Sequence, residues 1–147
     1  MTNDELNPDF PVVTGNYQLT AGWRVQLPLP FNRRIEDGSM VLWNPELTVW
    51  IDIWHNDRKA GVDELLEEAT RNLPAQRRDE QLNKTSALAL LTYELTELAG
   101  DLEAPEAHSV NACIAAPAGL VQVCAYFDSP EARLLGLEII RSISVDG

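Results

Sequence analysis

Basic residues are scarce: 11 lysines and arginines stand against 23 aspartates and glutamates, a formal net charge of −12. A nucleic-acid surface needs a basic patch, so this balance argues against one. It permits a basic protein partner drawn in by long-range attraction, though net charge speaks first to plain solubility. Histidine and cysteine are also thin, with two of each. Zinc sites draw on these residues at tight spacing, and His55, His108, Cys113 and Cys124 do not supply it. No run approaches the roughly 18 apolar residues of a membrane span. The opening MTNDELNPDF is acidic and polar and does not read as a signal peptide. The expected location is therefore the cytoplasm, where both cysteines would remain thiols. A Gly-x-Ser-x-Gly elbow is missing, as is a glycine-rich loop joining strand to helix. The sequence thus implies no cofactor and no enzyme.

What is present suits one soluble domain: 147 residues, 45% apolar and 23% charged. Its most telling stretch is Ser39 to Trp54, SMVLWNPELTVWIDIW, with three of the four tryptophans. Two β-rich runs flank Asn44-Pro45-Glu46, the pattern of a hairpin. With Pro45-Glu46 as the loop, Met40 and Leu42 oppose Ile51 and Val49, and Val41 and Trp43 oppose Trp50 and Thr48. Pleating then makes both faces apolar, so each is either covered or left for a partner.

Around this hairpin the chain divides into an N-terminal arm, 1–16, and a single domain, 17–147. Tyr17–Thr20 and Trp23–Leu27 are short strand candidates separated by Ala21-Gly22. Pro28 and Pro30 punctuate a loop that runs through Arg33-Arg34 to the turn Asp37-Gly38. Val62, Leu65, Leu66, Ala69 and Leu73 repeat with helical period, with acids in the first turn and Pro74 as the stop. Arg77–Leu82 is a weak strand. Ala87–Leu98 alternates, with Ala89, Leu91, Tyr93 and Leu95 on one side, and an acidic loop, 100–107, follows. A second hairpin with its loop at Ala118-Gly119 places Val110, Ala112 and Ile114 opposite Phe127, Ala125 and Val123, and Cys113 opposite Cys124. Ser129-Pro130-Glu131 starts a helix that runs to about Arg141, with Gly136 allowing close approach to a sheet. The expected class is α+β, an antiparallel sheet with helices on its faces.

Two stretches carry a family resemblance. Tyr17-Gln-Leu-Thr-Ala-Gly-Trp23 resembles the opening of Mog1/PsbP-like proteins, including bacterial DcrB-like (DUF1795) members, with Thr20 where those have proline. Leu137-Glu-Ile-Ile-Arg-Ser-Ile143 resembles their closing helix. The resemblance implies an α/β/α sandwich and a binder rather than a catalyst, since such proteins include a small-GTPase binder, photosystem subunits and type VI secretion chaperones. It carries over no functional residue.

The expected partner-binding residues are Trp43, Trp50, Asp52, Trp54 and His55, because aromatics supply large contact area and Asp52 marks a part of this face that stays wet. Cover beneath a helix is the competing fate of the tryptophans, which leaves the far end, Asp52–Trp54 and the loop beyond, as the open part. The expected function is a bacterial protein-binding module, an adaptor, a secretion chaperone or an immunity-type protein, with a protein partner whose surface the charge permits to be basic. Homodimerisation through the aromatic face is a close variant. The alternative is a small ligand-binding protein or enzyme with its site near Asp52, His55 and Asp57, which requires a concave pocket converging on them. Cys113 as a nucleophile would need a nearby base and a lowered thiol pKa.

Overall fold

A computed structural model describes residues 6–20, 22–98 and 106–145, the side chain of Leu98 excepted. The turn residue Ala21 and most of the acidic loop 100–107 lie outside the described residues. The elements in chain order are β1 (Val12–Thr20), β2 (Trp23–Glu36), β3 (Ser39–Trp43), β4 (Leu47–His55), α1 (Val62–Thr70), β5 (Arg78–Lys84), β6 (Ala89–Leu98), β7 (Glu106–Ala116), β8 (Gly119–Phe127), α2 (Pro130–Ser142) and β9 (Ser144–Val145). All described pairings are antiparallel and form one sheet, ordered β1-β2-β3-β4-β8-β7-β6-β5, with β9 beside β2.

This is a β-rich fold, 57% strand and 17% helix, and it corrects the expected α/β/α sandwich with helices layered on its faces. The physical reason is width. Eight strands side by side span about 34 Å at ~4.8 Å per spacing. A helix is about 10 Å across and covers about two strands. One nine-residue and one thirteen-residue helix are therefore patches on the sheet, not layers. None of the described helices is long and apolar enough to cross a membrane.

The main core forms where the sheet curls around α2. Ile139 and Ile140 of α2 meet Val110, Ala112, Val123 and Ala125 from the central strands, and Trp23, Val25, Leu27 and Phe31 from β2 join the same cluster. Trp23 and Phe31 are fully buried. Gly136 is what lets α2 lie this close: a Cβ there would sit 3.0 Å from a Val110 methyl and 3.3 Å from Ala125. Ser129 caps the helix by accepting from the Ala132 N–H at 3.1 Å. At the other end the Ser142 hydroxyl accepts from the Gln26 N–H at 3.0 Å and lies 2.7 Å from the Ile139 carbonyl.

Three local expectations differ from the structure. The Pro28–Arg34 segment is strand, not loop: β2 runs unbroken for 14 residues. Its prolines fall where the β1 register jumps, Leu27 pairing with Gly15 and Phe31 with Val13. A bulge tolerates missing N–H donors, so proline is permitted there. The second hairpin is shifted by two residues, with Val110 opposite Ala125, Ala112 opposite Val123 and Ile114 opposite Val121. A shift of two keeps every side chain on its face but separates the cysteines: Cys113 opposes Gln122 and Cys124 opposes Asn111. The expected arm is also divided, since Val12–Asn16 belong to β1.

Glu94 and Arg133 lock α2 to β6. The Glu94 carboxylate, 11% exposed, accepts from Arg133 Nε at 2.9 Å and Nη2 at 2.6 Å. The guanidinium holds the Glu94 carboxyl below its ordinary value of 4.5. A lowered folded-state pKa stabilises above the unfolded value, and that contribution is lost as pH falls through the folded one. Arg133→Gln should therefore cost about 1–2 kcal/mol at neutral pH, discounted for the partly exposed arginine. The gap to the parent protein should close in acid, as read by urea denaturation at both pH values; a gap that persists in acid would show the pair is not its source.

Candidate functional site

Strand alternation sends Trp50, Asp52 and Trp54 of β4 to the face opposite α2, beside Cys124, Gln122 and Leu120 of β8. Three covers lie on this outer face. The first is α1, whose Leu65, Leu66 and Ala69 pack on Ala89, Leu91, Cys113 and Ala115. The second is the N-terminal segment. Asn32, fully buried, accepts from the Asn7 N–H at 2.7 Å and donates to the Asn7 carbonyl at 2.9 Å and the Phe10 carbonyl at 3.3 Å. This places the Phe10 ring edge-on to Trp43, 4.9 Å between centroids. The third is Arg34, whose guanidinium carbon lies 4.6 Å from the Trp43 ring centroid and 5.8 Å from that of Trp50.

Trp43 and Trp50 are thus half-buried within the chain's own contacts. Asp52, also half-buried, accepts a hydrogen bond from the Ser39 hydroxyl. Trp54 is different: it is 49% exposed and borders a groove of about 540 Å³. Leu65, Ala69 and Leu120 give this groove apolar walls, and His55, Asp57 and Glu68 are among its polar lining. Asp52 does not line it; that carboxylate borders a separate cleft of about 130 Å³ with Trp50, Tyr93 and Cys124. Of the expected residues the groove therefore gathers Trp54, His55 and Asp57 and leaves out Trp43, Trp50 and Asp52.

The residue that shapes the groove, and that sequence reasoning passed over, is Asn56. Its side-chain amide donates to the Ala60 carbonyl at 2.8 Å and the Pro117 carbonyl at 3.1 Å, while its oxygen accepts from the Ala60 N–H at 2.8 Å. An asparagine at a strand exit followed by Asp57 is an Asx-turn signal, and that was the available clue. The folded loop turns the chain from β4 into α1 within six residues and sets Arg58 beside Glu68, with which it forms an ion pair. Glu68 holds the Arg58 guanidinium more firmly protonated than usual.

The remaining candidates do not assemble a reaction centre. His108 pairs with Thr96 at 3.0 Å and stacks on Phe127, at the opposite end of β8 from the Gly119–His55 pairing. Among the described residues no three His, Cys, Asp or Glu side chains come together to hold an ion. Burial pushes the Cys113 thiol up to about 11 and raises Cys124 as well, the reverse of nucleophile activation. Three of the basic side chains have local acidic partners, Arg77 with Glu80 at 2.8 Å, Lys84 with Asp63 at 2.9 Å and Arg34 with Glu36 at 3.6 Å, whereas the buried Arg33 Nε has no hydrogen-bond partner among the described residues.

No family model matches the chain, and no curated protein matches it. Its fold is similar to that of a protein from Bacteroides thetaiotaomicron VPI-5482 whose crystal structure was determined at 1.50 Å resolution. The TM-score is 0.64 at 13% identity, over 92% of this chain and 50% of the other. The chain thus spans about half the length of that protein. At such identity the likeness concerns fold alone.

Gly119 anchors the groove's strand end. It adopts φ +149° opposite His55, and a Cβ there would run into the Trp54 carbonyl and lie 3.2 Å from the His55 Cα. Gly119→Ala should cost about 3 kcal/mol in chemical denaturation, because backbone must move. Gly38→Ala, also at positive φ but facing open space, should cost only about 1 kcal/mol. Equal costs would show that conformation alone, not the close approach to β4, demands glycine.

Proposed function

We propose that the protein is a non-enzymatic, cytoplasmic protein-binding module that engages its partner in the Trp54 groove. One observation carries this reading: a half-exposed tryptophan stands over apolar walls in a concave, polar-rimmed surface. Buried aromatic anchors ringed by polar groups dominate binding energy at protein interfaces. The excess of acidic residues supports a basic partner, recruited at a rate that falls with salt. The activity could be that of an adaptor, a secretion chaperone or an immunity-type protein. A second reading, a small ligand in the same groove, is favoured by its volume, about 540 Å³, which falls within the range of small-molecule pockets.

The test is partner capture from the native host, followed by reconstitution with the purified partner and with Trp54→Ala. The variant should weaken binding roughly tenfold or more, as interface anchors do. Its thermal midpoint should barely move, since the ring is half in solvent. Unchanged affinity would overturn the groove as the docking surface. A complex that forms only with a low-molecular-weight compound present would favour the second reading. A solution mass of twice 16.4 kDa that Trp54→Ala returns to the monomer value would identify the partner as a second copy.

A further inference from the structure

Resting on the reading of the Trp54 groove as a docking surface, we infer that its occupant is an arginine side chain presented by a basic protein segment. β3 and β4 place three tryptophans on the outer side of the sheet, and the chain supplies a guanidinium to two of them: Arg34 lies over Trp43 at 4.6 Å and over Trp50 at 5.8 Å. Among the described residues no cation stacks on Trp54, which is the most exposed of the three. A planar, weakly hydrated guanidinium is the cation best suited to an open indole face.

The groove's charges point the same way. Asp57 and Glu68 line it beside His55, and the one guanidinium in its described lining, that of Arg58, is already held by Glu68. That ion pair shows that the Glu68 carboxylate accepts a guanidinium at the groove's edge. Both partners are substantially exposed, 54% for Arg58 and 38% for Glu68, so the pair is weak and exchangeable. An incoming arginine can lay its plane on Trp54, take over Glu68 in bidentate fashion and release Arg58 to water. Lysine, a compact and strongly hydrated charge, would gain less from both contacts. The net charge of −12 steers such a segment toward the surface without choosing the side chain.

The decisive experiment titrates the full-length protein with a short fluorescent peptide carrying arginines on a neutral polar background. Matched peptides replace arginine by lysine, by the neutral isostere citrulline, or by glutamate. The arginine peptide should bind several-fold tighter than the lysine peptide, and the citrulline and glutamate peptides should not bind measurably. Trp54→Ala should weaken the arginine peptide roughly tenfold, with Trp54→Phe intermediate, since both change the stacking face. Glu68→Gln should weaken it too, and Arg58→Gln should strengthen it about threefold by removing the internal competitor. Thermal midpoints of all variants establish that they are folded. Equal affinity for arginine and lysine peptides, binding of the citrulline peptide, or indifference to Trp54→Ala would each overturn the inference. If the native partner still depends on Trp54 while these peptides do not, the groove stands and the arginine falls. If neither depends on Trp54, both fall.

Discussion

The two central strands, β4 and β8, are apolar on both faces, and most of the remaining structure answers that constraint. Val49 and Ile51 point to one side and Trp50 and Trp54 to the other, and β8 matches them with Val121 and Val123 against Leu120 and Cys124. Each buried aliphatic side chain contributes roughly 1.5–3 kcal/mol only if its face is kept from water. The inner face is solved by curvature. The long β2, bulged at its prolines, packs on α2 together with β4, β7 and β8, and Gly136 lets the helix settle against Val110 and Ala125. This side makes one continuous core.

The outer face is solved piecemeal, by α1, by the pinned segment around Phe10 and by the Arg34 guanidinium. These covers differ in kind. The first is apolar packing. The second depends on Asn32, a buried amide whose three hydrogen bonds to Asn7 and Phe10 are what make its burial tolerable. The third is electrostatic and leaves its tryptophans half-buried. Cover therefore thins across the outer face, from Trp43 at the end of β3, with Phe10 and Arg34 upon it, to Trp54 near the end of β4, with neither.

How much of this is legible in the sequence depends on how local the deciding contact is. The register of the Ser39–Trp54 hairpin follows from its turn: Met40 opposes Ile51 and Trp43 opposes Thr48, as the alternation requires. Asn44 fixes that turn by accepting from the N–H groups of Glu46 and Leu47. The second hairpin misleads because Gly119 looks like a turn residue. It is instead the first residue of β8, glycine because the Trp54 carbonyl lies against it, a contact 65 residues away in sequence that no local pattern reveals. Pro28 and Pro30 mislead similarly, since a bulge in a pairing between distant strand segments is what makes proline acceptable. The two helices are readable from period and capping, yet the sandwich inferred from them is not what forms. Helix count says nothing about sheet width, and strand order is set by long-range pairing.

The groove itself arises from where α1 is seated. Leu65, Leu66 and Ala69 of the helix pack on Ala89 and Leu91 of β6 and on Cys113 and Ala115 of β7, with Leu120 of β8 at the margin of that cluster. Trp54 stands opposite Leu120 on β4, beyond the helix, and stays 49% exposed. The Asn56-folded loop returns the chain from β4 to α1 within six residues. The contacts that position α1 thus leave the end of β4 uncovered, with Leu65, Glu68 and Ala69 of the helix as its wall. His55 and Trp54 could be read from β4 alone, whereas Glu68, Leu65 and Leu120 enter the site only once long-range packing has seated the helix.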